Sequence, residues 1–291
     1  MKNALVFLTV IPDDEIIENA NKLSQNYEVF ILLDDNNFDL KKIYNFNIKY
    51  LQINDIDCIN NNYINSGGCS GGFWSDDNNL WKKYKIKNPS AWDKALYYFC
   101  KLNIDKYNFV WFIEDDVLIP NTEILKNIDN TYNNSDFLSE ASEINYSGDT
   151  NSWLWKHAEN KFKLPWYKSM ICACRMSNKL LREINNYVLE NKMLMFDEIM
   201  FPTLANHKNL IIHNPKELSG IKYWTKWEEE IEKDNIMNNN TLYHPVKKMD
   251  NKIYIKNKLL NLQIEMIGGY KLIKNKYLIK YTNMLNNDFY F

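Results

Sequence analysis

The stretch FVWFIEDDVLIP, residues 109–120, runs apolar from Phe109 to Ile113 and then sets three carboxylates side by side at Glu114, Asp115 and Asp116. Five apolar residues in a row, the large aromatics Trp111 and Phe112 among them, predict a strand buried on both faces. A strand covered on both faces needs helices above and below it, and this restricts the fold more than any other stretch of the chain. The acidic triplet then emerges where the strand leaves the sheet, on a backbone held rigid by the strand behind it.

The rest of the first two hundred residues repeats the theme. NALVFLTV reads as a first strand, followed by Ile16, Ile17, Ala20 and Leu23 at helical spacing. YEVFILLDD is a second strand ending in Asp34 and Asp35, and IKYLQIND a third ending in Asp55. In NPSAWDKALYYFCKLN, Ser90 with Asp93 three residues on forms a capping box, and Trp92, Ala95, Leu96, Phe99 and Leu102 make one stripe. SDFLSEAS and SMICACRM read as further strands, and SNKLLREINNYVLE as a helix with Leu180, Leu181, Ile184, Tyr187 and Val188 inward. Such alternation predicts an α/β fold with a central, mainly parallel sheet flanked by helices and a ligand site at the carboxyl ends of the strands.

Composition narrows the class of partner. With 35 Lys+Arg against 37 Asp+Glu the net charge is -2, which argues against nucleic acid as a partner. The apolar run of MKNALVFLTVIP is too short to cross a membrane, so no transmembrane segment is expected. The cysteines Cys58, Cys69, Cys100, Cys172 and Cys174 are odd in number and form no CxxC pair. That indicates neither a disulfide framework nor a thiolate zinc site, and it points to a reducing, cytoplasmic setting. Gly67, Gly68, Gly71 and Gly72 concentrate half of the 8 glycines in one loop, which lacks both P-loop and GxGxxG spacing. Oligomeric state is left open.

Closely spaced carboxylates repel, and a cation relieves the repulsion; oxygen ligands select a hard ion such as Mn²⁺ or Mg²⁺, which in turn suits a diphosphate. A haloacid-dehalogenase-type phosphatase would need an Asp where Glu114 stands, and its later GDxxxD motif fails at GDTNSW. WFIEDDV, preceded by LLDD and by the helix with Trp92, Asp93 and Lys94, instead resembles the D-x-D motif, found also as E-D-D, of nucleotide-sugar-dependent glycosyltransferases with the Rossmann-like GT-A fold.

That resemblance implies a catalytic domain over 1–250, with a nucleotide-sugar-binding half over 1–120, an acceptor half over 121–250 and a basic aromatic C-terminal extension over 251–291. It implies Asp116 as the direct metal ligand, Glu114 and Asp115 as donor-side neighbours, and Asp34 or Asp35 at the nucleoside. Lys94 and Lys247 are expected to share the diphosphate charge. A late histidine on the metal is expected at His244, with His213 as the alternative, and the base that deprotonates the acceptor at Glu198 or Asp197. The implied donor is a nucleotide diphosphate sugar, UDP-linked, and the acceptor a hydroxyl on a glycan, protein or lipid. Trp153, Trp155 and Trp166 are expected in an acceptor-side loop or in the core. A sugar-nucleotide pyrophosphorylase stays as an alternative, although TVIPDDE lacks the glycine- and arginine-rich loop such an enzyme opens with; so does a non-catalytic nucleotide- or carbohydrate-binding relative.

Overall fold

A computed structural model describes residues 2–36, 38–43, 47–65, 89–152, 155–223 and 240–246. The glycine-rich loop at Gly67–Gly72, Trp153, Lys247 and the 251–291 extension lie outside the described residues.

The chain begins with β1 (Lys2–Thr9), α1 (Asp14–Leu23), β2 (Glu28–Leu33), β3 (Lys49–Leu51), α2 (Asp55–Asn60) and α3 (Ala91–Leu96). A π-helical turn (Tyr97–Leu102) leads from α3 into β4 (Tyr107–Glu114), then α4 (Glu123–Thr131) and the short strands β5 (Phe137–Leu138), β6 (Glu143–Asn145) and β7 (Trp166–Lys168). Next come β8 (Ala173–Ser177), α5 (Asn178–Asn191), α6 (Asp197–His207), β9 (Ile212–His213), β10 (Gly220–Ile221) and β11 (Tyr243–His244).

Seven strands form the central sheet in the order β3-β2-β1-β4-β8-β5-β9. Neighbours run parallel except where β8 pairs antiparallel with β4 and with β5. Alternate side chains of each long strand go to opposite layers. Ala4, Val6, Val110 and Phe112 join the layer under α3, α5 and α6, while Leu5, Phe7, Trp111 and Ile113 join the layer under α1 and α4. Burial on both faces explains why these strands read as unbroken apolar runs.

The expected helices form, and their expected faces turn inward except at Leu102, which ends the π-helical turn 52% exposed. Ser90 and Asp93 make the capping box, and Leu180, Leu181, Ile184, Tyr187 and Val188 are buried on α5. Strand lengths were overdrawn at SDFLSEAS, of which Phe137–Leu138 alone is strand, and at SMICACRM, where the strand starts at Ala173. The inversion of β8 was not expected. It is pinned by Arg175, whose buried guanidinium reaches Asp129 at 2.6 Å and the carbonyls of Tyr132 and Ser135, and lies under Phe109.

Pro202 sits inside α6 and has no N–H to give the carbonyl four residues back. That carbonyl belongs to Glu198, and it accepts from the Ser169 N–H at 3.0 Å instead. The proline thereby ties the first turn of α6 to the chain that leads into β8.

Candidate functional site

The order β3-β2-β1-β4 puts β2 on one side of β1 and β4 on the other, so the chain reverses its direction of travel across the sheet between β1 and β4. The carboxyl ends of strands at such a reversal leave a crevice, because the connections leave in opposite directions. Thr9, at the end of β1, donates its hydroxyl to Asp115 across that crevice at 2.7 Å. The end of β2 is joined to the same place by Asp34 N–H to Thr9 O, 2.8 Å.

Glu114 closes β4. Its N–H donates to Cys172 O at 2.8 Å, continuing the β4–β8 ladder one step beyond the Ile113–Ala173 pair. Its carboxylate accepts from the Trp92 indole at 2.7 Å, and Trp92 stacks on Phe112 with ring centroids 5.4 Å apart. The Glu114 side chain is therefore oriented from the core side.

His244 arrives from the other end of the described chain. Leu118 and Tyr243 exchange backbone hydrogen bonds at 2.9 and 3.2 Å, and Val246 N–H donates to Asp116 O at 2.8 Å, so β11 lies along the loop after β4. Its partner β10 approaches so closely that a Cβ on Gly220 would stand 2.3 Å from Leu242 O, which requires glycine there. The His244 Nδ1 faces the Lys222 carbonyl at 2.8 Å and must carry a hydrogen, which fixes the ring with Nε2 toward the acids. That Nε2 points at Asp116 Oδ1, 3.2 Å away, with Glu114 Oε2 at 3.8 Å. Asp116 Oδ1 is buried and makes no directional hydrogen bond. Glu114, Cys172 and His244 bring a carboxylate oxygen, a thiol sulfur and an imidazole nitrogen within 4.8 Å of one another. An imidazole nitrogen, carboxylate oxygens and a sulfur gathered in this way are a donor set that fits a divalent cation once it displaces the imidazole proton.

The electrostatics describe a site short of positive charge. Burial, then the Asp116 charge, push the Asp115 carboxyl up to about 7 in spite of the Thr9 hydrogen bond. The same two causes raise Glu114. Burial works against a charged His244, but Asp116 and Glu114 outweigh it and hold the imidazole at about 9. Burial, reinforced by Glu114 and Asp116, pushes the Cys172 thiol well up. In each case protons supply the positive charge that a cation could supply instead.

The other expected residues divide. Asp34 and Asp35 are buried at the end of β2. Lys94 donates to the Asp34 carbonyl at 2.7 Å, to Asp34 Oδ1 at 2.8 Å and to Asp55 Oδ1 at 2.9 Å, with its side chain fully buried. An ammonium has three hydrogens, so Lys94 anchors β2 to α2 and does not reach for a phosphate. Glu198, in the first turn of α6, is partly exposed beside the crevice, and its carboxyl is pushed up to about 8 by burial and then by Glu114, against the opposing pull of His244 and Lys168. Asp197 points the other way: it is 3% exposed, its partner is Asn65, and burial and Asp93 push it well above the carboxylate range. Of the two, Glu198 is thus the carboxyl that reaches the crevice, protonated for the most part at pH 7 and ionised above about 8.

His213 is exposed on the edge strand β9, with Nδ1 against Ser135 Oγ at 2.6 Å, and β8 and β5 lie between it and β4. Trp155 and Trp166 are each 5% exposed and belong to the core. Four residues at the site were missed as participants: Thr9, Asp55, Trp92 and Cys172. Thr9 had a readable signal, being the polar residue that ends a strand. Cys172 had none in the cysteine spacing, because its neighbours Glu114 and His244 come from other elements.

No protein-family model matches the sequence, and no curated protein matches it. Among solved structures, the chain is similar to the bifunctional IspDF from Campylobacter jejuni, with 12% identity over 75% of this chain and a TM-score of 0.36. It spans about half of that protein, 51% of its length. It is also similar to a 4-diphosphocytidyl-2C-methyl-D-erythritol synthase from Anaerococcus prevotii, at 11% identity, 82% of this chain, 95% of the other and TM-score 0.37. A third is mouse xyloside xylosyltransferase 1, at 9% identity, 84% of this chain, 97% of the other and TM-score 0.39.

Proposed function

We propose that this chain is a metal-dependent glycosyltransferase that takes a sugar from a nucleotide diphosphate sugar, UDP-linked, and passes it to a hydroxyl acceptor on a glycan, protein or lipid. The observation that carries the reading is the return of His244 onto Asp116 and Glu114 at the carboxyl end of β4, at the reversal point of the sheet. In this reading residues 1–120 bind the donor and 121–250 the acceptor, with His244 reaching back across that division. No described helix is long and apolar enough to cross a membrane. Four described cysteines are free thiols, which supports a cytoplasmic setting.

Asp116 and His244, with Glu114 beside them, would hold Mn²⁺ or Mg²⁺. When bound, the cation would supply Lewis-acid relief of the negative charge that grows on the departing diphosphate. The chain's own work is positional. Trp92 and the β4 backbone fix Glu114, Thr9 fixes Asp115, and the Lys94 pairings fix Asp34 at the nucleoside side of the crevice. Glu198 would take the proton from the acceptor hydroxyl as that oxygen attacks the sugar carbon.

A melting experiment with UDP-, GDP- and CMP-sugars, each with and without Mn²⁺, tests the reading. One nucleotide sugar should raise the melting temperature only when Mn²⁺ is present, since a ligand at about 100 times its Kd adds about 2.7 kcal/mol. Stabilisation without regard to metal would favour a binding relative, and exchange of pyrophosphate into the nucleotide would favour a pyrophosphorylase.

Glu198→Gln should lower kcat by about 10²–10⁴-fold while leaving donor affinity near wild type. Because the carboxyl sits at about 8, the wild-type rate should climb as pH rises toward 8 and level off above it. The glutamine variant should lose that limb. Equal losses in kcat and in donor binding would reassign Glu198 to a binding role.

A further inference from the structure

Cys172 lies just before β8, where the ladder with β4 fixes its backbone against Glu114 through the 2.8 Å bond from Glu114 N–H. Cys172 is 5% exposed and belongs to the core layer under α1 and α4, whereas Cys58, Cys100 and Cys174 are fully buried in the opposite layer. The sulfur, a Glu114 oxygen and a His244 nitrogen all lie within 4.8 Å of one another. In a tetrahedral site with bonds of about 2.0–2.3 Å the ligand atoms stand about 3.6 Å apart, so a pair at that limit closes by about 1 Å, the scale of a side-chain rotation, to share one ion.

We propose that Cys172 is a direct ligand of the cation at this site, so that the site prefers thiophilic divalent ions such as Co²⁺ and Zn²⁺ and ranks Mn²⁺ above Mg²⁺. The proposal rests on the metal site of the glycosyltransferase reading but not on its donor. Oxygen ligands alone would favour the harder ions; one sulfur and one imidazole nitrogen move the preference along the softness series. The chemistry is simple ligand exchange. When an ion binds, the thiol proton of Cys172 and the Nε2 proton of His244 leave to solvent and the lone pairs they release form the metal–sulfur and metal–nitrogen bonds, with no change of oxidation state. His244 is already oriented for its part, since Nδ1 is held by the Lys222 carbonyl.

Co²⁺ alone, titrated into the chelator-treated full chain, tests this by absorption. The expected result is a near-ultraviolet sulfur-to-cobalt charge-transfer band that saturates at one ion per chain and is absent in Cys172→Ser and Cys172→Ala. Competition should show Co²⁺ and Zn²⁺ bound about tenfold or more weaker in Cys172→Ser, with Mn²⁺ changed by less than about threefold. Cobalt bound without the band, a full band in the serine variant, or no cobalt bound at all would each overturn the proposal. The two readings fail separately. A sulfur band with no metal-dependent response to any nucleotide sugar leaves the ligand set standing without the transferase. A Mn²⁺-dependent donor response with no sulfur band leaves the transferase standing without the thiol.

Discussion

Replacing Lys94 with methionine should destabilise the fold by about 3–5 kcal/mol, the range for breaking a buried ion pair from one side. The side chain of Lys94 is fully buried, and those of Asp34 and Asp55 are 4% and 8% exposed, so water cannot replace the lost ammonium. Methionine fills most of the volume, which separates the loss of charge from the opening of a cavity. At about 2–4 °C per kcal/mol for a chain of this size, the melting temperature should fall by about 6–20 °C. The pH dependence identifies the cause. Burial alone would lower the Lys94 ammonium, but Asp34 and Asp55 outweigh it and hold it above its ordinary value. A cation raised in this way contributes its full stability below the unfolded lysine value of about 10.4 and loses it only as pH climbs through the higher folded value. The gap between wild type and variant should therefore stay level from pH 6 to 10 and narrow only beyond that. The exposed Lys22–Glu18 pair is the matched control, and Lys22→Met should leave the unfolding midpoint where it is. A Lys94 variant as stable as that control would remove the triad from any role in shaping the end of β2.

The contrast between those two lysines shows what a sequence can and cannot disclose. Both stand among apolar and acidic neighbours, and nothing in the local pattern separates a lysine that caps two carboxylates from one that faces water. Where the pattern repeats, it was informative. The unbroken runs of β1, β2 and β4 required cover on both faces, and the stripe of α5 placed all five of its expected residues inward. Direction was not legible, because alternation has the same period whichever way a strand runs; the antiparallel ladders of β8 with β4 and β5, held beside the buried grip of Arg175 on Asp129, Tyr132 and Ser135, show how β8 sits in the sheet. At the site, the acids of EDDV and the proline after His244 were visible as short-range signals. Adjacent residues on a helix point about 100° apart, so the difference between Asp197 in the interior and Glu198 at the crevice depends on how α6 is rotated. Cys172 was beyond reach for a related reason. Its meaning comes from the opposite strand and from β11, and a spacing rule reads neither.

Asp116→Asn should abolish the response to Mn²⁺ and lower metal-dependent turnover by about 10³-fold or more, equivalent to several kcal/mol of charge stabilisation at the diphosphate. The same change should leave the metal-free protein as stable as wild type, or more so. Asp116 adds repulsion to its two acidic neighbours, raising the carboxyls of both Glu114 and Asp115. Removing one of three crowded negative charges relieves that repulsion, while asparagine keeps the shape of the side chain. Against this stands the loss of the 3.2 Å contact with His244, whose proton is then held less firmly. A side chain retained for folding alone would not show this pattern, in which activity falls while stability holds or rises; one retained to hold a cation would. Melting curves of both proteins, with and without Mn²⁺, decide the matter. Wild type should gain stability from the ion and the variant should not, and a variant that still gains it would move the metal site off Asp116.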